Sequence, residues 1–146
     1  MEMTWEEKVR AGQKDLRGAD LLEADLYEAD LTTANLSDAD LVEADLRRAD
    51  LSAADLTGAI IFEADLSAAN LTGAVLFEAD LYGANLTGAI LTGACLEGAD
   101  LCYADLRGAD LTHADLTRAH LCDANLDGAI ITYRHGTVTV RFEKTH

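Results

Sequence analysis

The sequence predicts an all-β solenoid, and three observations carry that prediction. From Leu16 to Ile131 an aliphatic residue stands at every fifth position, always Leu except at Ile61 and Ile131. From Ala19 to Ala129 an alanine precedes each of them by two. The 146-residue chain has no proline, and nine of its eleven glycines share one position of the five-residue unit.

A period of five fits no straight element. On an α-helix five residues advance about 500°, so successive leucines drift by roughly 140° and form no stripe. On a straight strand an odd step sends alternate leucines to opposite faces. The chain must therefore turn once per unit. Ala-Asp-Leu, as in Ala19-Asp20-Leu21, reads in-out-in on a short extended segment. The next two residues, such as Thr72-Gly73, form the corner, where glycine's freedom in φ is useful. Glu, Asp and Arg hold the second corner position elsewhere, so positive φ is not expected to be compulsory there. Absence of proline fits a chain whose extended residues donate to a ladder. Units of this kind stack and bury their apolar side together. Spacing alone allows three or four sides per coil.

The Ala-(Asp/Asn)-Leu-x-x array resembles the pentapeptide repeat family. The resemblance covers residues 15–132 and rests on 23 consecutive Ala-x-(Leu/Ile) units. It implies a right-handed, quadrilateral parallel β-helix with four units per coil. On that template 24 units make about six coils, a rod about 29 Å long at a strand spacing of about 4.8 Å.

The expected organisation is an N-terminal helical cap over 1–14, the β-helix over 15–132 and a capping tail over 133–146. Open coils expose unpaired edges, so both ends need covers. Thr4-Trp5-Glu6-Glu7 reads as a capping box opening a short helix, with Gly12 as its stop and Trp5 and Val9 over the first coil. At the other end His135-Gly136 reads as a turn, and Val138, Val140 and Phe142 alternate like a strand. Family members that dimerise through C-terminal coils carry helical elements there, which this tail lacks. A monomer or weak homodimer is expected.

Composition excludes several function classes. The net charge is −16, and residues 15–132 hold 23 acids against 5 bases, a net of −18. No Lys or Arg lies between Ala49 and Leu106. Nucleic acid and anionic membranes are unsuitable partners for such a surface, and a basic or apolar protein surface is the expected one. No apolar run is long enough to span a bilayer, and Met-Glu-Met-Thr-Trp-Glu-Glu is not signal-like, so a cytoplasmic location is expected. Cys95, Cys102 and Cys122 make no disulfide framework. On the four-sided template that the resemblance implies, Cys102 and Cys122 stack twenty residues apart with parallel Cβ vectors, a poor bridging geometry, and are expected as free thiols in a reduced compartment.

Taking every twentieth residue as a column separates the faces. Leu22, Val42, Phe62, Tyr82, Cys102 and Cys122 form an apolar column at an outward corner. Ile60, Val75, Phe77 and Cys95 widen it in the middle coils. Either these side chains shield one another or they form a partner surface, with Leu22, Val42, Phe62, Phe77, Tyr82 and Cys102 as its candidates. Asp25, Asp45, Asp65, Asn85, Asp105 and Asn125 form an acidic column. Asp and Asn accept backbone hydrogen bonds at turns, which explains the column architecturally. Its functional reading is DNA mimicry, since −18 over the rod is about one charge per 1.6 Å against about 1.7 Å in duplex DNA. Some pentapeptide repeat proteins associated with fluoroquinolone resistance bind type II topoisomerases as rod-like DNA mimics. This chain lacks the loop insertions that such members often carry. The Thr32, Ser52, Thr72, Thr92, Thr112, Thr132 column is assigned to β-propensity and mutual hydrogen bonding, because Asp30, Asp50 and Asp110 interrupt the flat paired threonines that ice binding needs.

No catalysis is expected. A rod packed with Ala and Leu offers no pocket, and Ser37, Ser52 and Ser67 lie away from His113, His120, His135 and His146. His120, Cys122, Cys102 and Asp100 are zinc-compatible ligand types on one face, but without C-x-x-C spacing they read as coincidence. The Gly-Gly-x-Gly-x-Asp pattern of calcium β-rolls is missing. No cofactor and no metal are expected. The function read here is a non-catalytic scaffold or protein-binding module, with inhibition or protection of a type II topoisomerase such as DNA gyrase as the alternative.

Overall fold

The structure is a computed structural model that describes residues 1–133 and 136–139. Parallel bridges join residues twenty apart from Asp15↔Asn35 to Asp105↔Asn125, so four five-residue units separate each residue from the one stacked on it. Each unit has only about three extended residues between turns. The ladder is therefore a series of single bridges, and among the described residues longer strands occur only as β1 (Asp110–Leu111), β2 (Ile130–Tyr133) and β3 (Gly136–Thr139).

One unit accounts for all of its backbone donors. Leu71 N–H donates to Ile90 C=O at 2.7 Å, and Gly73 N–H to Thr92 C=O at 2.9 Å. Asn70 N–H donates back to Ala49 C=O at 2.9 Å, and Ala74 N–H closes the turn on Leu71 C=O at 3.0 Å. The fifth donor, Thr72 N–H, bonds the Asn70 side-chain Oδ1 at 3.1 Å. That last bond repeats along the chain, for example from Tyr27 to Asp25 at 3.2 Å and from Val42 to Asp40 at 3.1 Å. It explains the Asp/Asn preference as an Asx turn that satisfies a donor the ladder leaves out. Proline would remove a bonded donor at any of the five positions.

Inside, Leu and Ala side chains form one continuous core, and no polar or charged side chain is buried among the described residues. From Leu31 to Leu76 every inward Leu, Ile and Ala is fully shielded. The last turn is less covered, with Leu116 and Leu121 only partly buried.

The corners overturn one expectation. Positive φ occurs at every second corner position from Gly18 to Gly128, including Glu23 at 53°, Ala53 at 55° and Tyr103 at 60°. The i→i+3 bond and the next inward Ala leave no other way to turn, so each residue type accepts the left-handed conformation. Left-handed backbone costs a residue with a Cβ about 1 kcal/mol or more. Ala53→Gly is therefore expected to stabilise the protein by about 1 kcal/mol, read as a shift in the urea midpoint with unchanged slope.

The N-terminal edge is closed by α1 (Trp5–Arg10) and the residues after it. Thr4 Oγ1 accepts from Glu7 N–H at 3.2 Å, and Glu7 Oε2 accepts from Thr4 N–H at 2.8 Å, completing the capping box. Gly12 follows with φ 84°, and Val9 is buried against the core beside Trp5. The first coil has no earlier coil to donate to its carbonyls. Gln13 Nε2 donates to Asp15 C=O at 2.9 Å, Lys14 Nζ to Asp30 C=O at 3.0 Å and Arg10 to Asp25 C=O at 3.3 Å. At the other end β2 pairs in parallel with β1 and antiparallel with β3, in register Ile131↔Val138. The antiparallel strand ends the parallel ladder on that side. The expected turn residue His135, and Val140 and Phe142 of the expected strand, lie outside the described residues, as does His146.

Candidate interaction surfaces

Each outward position belongs to a face named here by its first inward leucine. The Leu21 face carries the apolar column. Leu22 is 52% exposed, Val42, Phe62 and Tyr82 are half-buried, and Cys102 is buried at 6%. Phe62 and Tyr82 stack with ring centroids 5.4 Å apart and planes 8° from parallel. Tyr103, an exposed residue one corner position further on, leans against Tyr82 at 5.2 Å. Phe77 is half-buried on the preceding corner, and Ile60, Val75 and Ile90 are exposed where other units place Asp or Asn. These aliphatic residues offer no Asx acceptor to the following corner.

Cys102 and Cys122 are disulfide-bonded, with Cα atoms 4.5 Å apart, and Cys95 is the free cysteine. This overturns the expectation of free thiols. Adjacent rungs place the two Cα atoms at the near end of the bridging range, and rotation about χ1 brings the sulfurs together despite similar Cβ directions. The bond also consumes two members of the zinc-compatible set, and among the described residues no three of His, Cys, Asp and Glu converge as a metal-holding group.

The acidic surface is not uniform. Asp25, Asp45, Asp65 and Asp105, on the Leu26 face, are the acids singled out by sequence, yet Arg10 pairs with Asp25 at 3.7 Å, Arg47 with Asp45 at 2.6 Å and Arg107 with Asp105 at 2.6 Å. Asp65 accepts from the Asn85 amide one rung on at 3.2 Å. Arg48 pairs with Glu28 on the same face. The remaining ion pairs are Lys14–Asp30, Arg17–Asp15 and Arg118–Glu97. None of the pairs among the described residues involves an acid of the Leu21 face, although that face holds eight acids and neither Lys nor Arg. Sequence columns showed acids but not their partners, because Arg10, Arg47 and Arg107 sit outside the column of the acids they hold.

Local hydrogen bonds tune several carboxyls. Thr32 Oγ1 donates to Asp30 Oδ1 at 2.6 Å, and with the Thr32 amide and Lys14 it lowers the Asp30 pKa to about 2. Side-chain bonds from Thr112 and Thr117 lower Asp110 and Asp115, and those from Arg17, Arg47 and Arg107 lower Asp15, Asp45 and Asp105. Tyr103 is pushed up by the nearby Asp123 charge. Hydroxyls of the column that follow Asp or Asn bond within their unit, as Ser52 to Asp50 at 2.6 Å, whereas Thr132, which follows Ile130, accepts from His113 N–H on the neighbouring rung at 2.6 Å. A lowered carboxyl pKa contributes stability that is present above its unfolded value and lost as pH falls through the folded one. For Asp30 that window runs from 3.8 down to about 2. Thr32→Val is expected to raise the Asp30 midpoint toward 3.8 in an NMR titration of its carboxyl carbon, with Asp110 unmoved.

A cleft of about 300 Å³ lies between α1 and the first coil, lined by Val9, Arg10, Tyr27 and Glu28 among others, and it contains no Ser, His or Cys. It departs from the expectation of a rod without pockets, because the short helix covers only part of the first coil. No helix among the described residues is long and apolar enough to cross a membrane.

The sequence profile described as pentapeptide repeats matches in eight copies over residues 9–38, 32–67, 63–101 and 104–133. No curated protein sequence matches the chain. Among solved structures, it is similar to alr5209, a pentapeptide repeat protein from Nostoc PCC 7120, at 37% identity over 79% of this chain and 90% of that one, with a TM-score of 0.45. It is similar to HetL, a pentapeptide repeat protein involved in heterocyst differentiation regulation from the same cyanobacterial strain, at 41% identity and TM-score 0.45. That match covers 80% of this chain, which spans only 57% of the HetL chain. A trypsin-treated form of QnrB1, a plasmid-mediated fluoroquinolone resistance protein, matches at 23% identity and TM-score 0.50 over 79% of this chain and 66% of that one.

Proposed function

The chain belongs to the pentapeptide repeat family, and from that premise we propose that it is a non-catalytic scaffold that binds a protein partner bearing a basic surface. In this reading the 15–132 region is a right-handed, four-sided β-helix of about six coils, with 1–14 and 133–146 as its caps. The observation that carries the reading is the division of labour in each unit. Ala and Leu fill the axis, backbone donors are consumed by the ladder, and what remains to meet another molecule is an outward surface of net charge −18 over residues 15–132. A rigid surface of one sign steers an oppositely charged partner and makes binding salt-dependent. The chain immobilised on resin is expected to retain a basic protein from its native extract and release it between about 0.1 and 0.5 M salt, where the screening length shortens to a few ångströms. Retention of no protein, or retention insensitive to salt, contradicts the reading. A lasting Cys102–Cys122 bond fits an oxidising compartment better than the expected cytoplasm.

A second reading, DNA mimicry toward a type II topoisomerase, is favoured by charge spacing: about one per 1.6 Å of rod against about 1.7 Å in the duplex. Against it stands the pairing of Asp25, Asp45 and Asp105 with arginines, which breaks the regular column. A gyrase supercoiling assay separates the two, and absence of inhibition at micromolar protein removes this second reading.

A further inference from the structure

Resting on the scaffold reading, we infer that the Leu21 face is the docking site and that its occupant is a basic amphipathic α-helix of the partner. Three features converge on this face alone. Along its corner runs the apolar ridge of Leu22, Val42, Phe62 and Tyr82, exposed or half-buried throughout. On one side of the ridge stand Asp20, Asp40, Asp80 and Asp100. On the other stand Glu23, Glu43 and Glu63. The acids of this face take part in none of the ion pairs among the described residues, whereas each of the other three faces has at least one acid paired with Arg or Lys.

An apolar strip with carboxylates along both sides is the complement of a helix whose apolar stripe is flanked by Lys and Arg. The spacing agrees. Rungs lie about 4.8 Å apart and the Phe62 and Tyr82 ring centroids are 5.4 Å apart, while an α-helix advances about 5.4 Å per turn, so a helix lying along the ridge gains only about 0.6 Å on each rung. A strand would advance about 6.8 Å per same-side residue and fall out of step within a few rungs. The stacked rings are already ordered by one another, so less side-chain freedom is lost on contact. No Lys or Arg has to be displaced from these carboxylates, and each Asp can keep its Oδ1 bond to the corner amide, as Asp40 does to Val42, while its other oxygen meets the incoming cation.

The probe is a labelled Leu/Lys peptide of about five helical turns with leucines at i, i+3, i+4 and i+7 spacing, beside a scrambled peptide of identical composition. Fluorescence anisotropy with the full chain at low salt is expected to show the amphipathic peptide binding at least about tenfold more tightly than the scrambled one. Phe62→Ser with Tyr82→Ser, and separately Glu43→Gln with Glu63→Gln, each weaken it by about tenfold, while Asp55→Asn with Asp115→Asn on the Leu16 face leaves it unchanged. Circular dichroism confirms that each variant keeps the fold, and the Gln pair carries the test if the Ser pair does not. Equal binding of the scrambled peptide, or an equal loss in the Leu16-face variant, overturns the docking site and leaves the basic-partner reading standing. Binding of neither peptide overturns both.

Discussion

Leu71→Ala is expected to lower stability by about 3–5 kcal/mol, measured by urea unfolding followed by circular dichroism. Leu71 is fully shielded at the middle of the stack, with leucines of adjacent units and rungs around it. Removing its isobutyl group forfeits the transfer energy of the buried carbons and leaves a void. The ladder bonds above and below, Leu71 to Ile90 at 2.7 Å and Asn70 to Ala49 at 2.9 Å, hold the walls apart. In a repeat protein each rung is supported only by its neighbours, so a central void weakens both halves. The matched control is Leu22→Ala. Leu22 is 52% exposed on the outer corner and its truncation is expected to cost well under about 1 kcal/mol. Equal losses at the two positions would mean that the interior does not carry the stability.

The second large effect is reduction of the Cys102–Cys122 bond. It closes a loop with a sequence separation of 20, and in the chain-entropy account such a loop contributes about 3 kcal/mol. The bond joins two rungs at the end of the stack where Leu116 and Leu121 are only partly buried, so it holds the coil that packing holds least. Reductant is expected to lower the unfolding midpoint, and amide exchange should quicken first around Leu116 to Leu126. A Cys102→Ser, Cys122→Ser variant should behave like the reduced protein and no longer respond to reductant. Thiol titration of the untreated protein is expected to find one free cysteine, Cys95. Three free thiols in untreated protein, or an unchanged midpoint on reduction, would contradict this.

The interior was legible in the sequence because inward positions admit little besides Ala and Leu, and their spacing is printed directly in the chain. The capping box at Thr4 and Glu7 was legible for a similar reason, since one short motif satisfies two donors. The second corner position was misread. Glu23 or Ala53 looks like a free choice, yet the ladder fixes its backbone and the side chain tolerates the result. The disulfide was missed because rung spacing and Cβ direction were weighed without side-chain rotation. At the N-terminal edge, Arg10, Gln13 and Lys14 follow no pattern, and only the unpaired carbonyls of Asp25, Asp15 and Asp30 give them a role. The surface was read by residue type, which shows the apolar column but not which acids are held by arginines. Asp45 and Asp105 are held by the arginines two residues on, while Asp40 and Glu43, equally acidic in the sequence, are not.

All of these surface assignments depend on each unit lying over the one four units earlier. Scalar couplings across hydrogen bonds test that register without reference to any side chain. In a uniformly labelled sample, the Leu71 amide nitrogen should couple to the Ile90 carbonyl carbon, and the Ile90 nitrogen to the Ala69 carbonyl. Couplings that instead join residues about fifteen apart would describe a three-sided coil, and the faces drawn here would not exist.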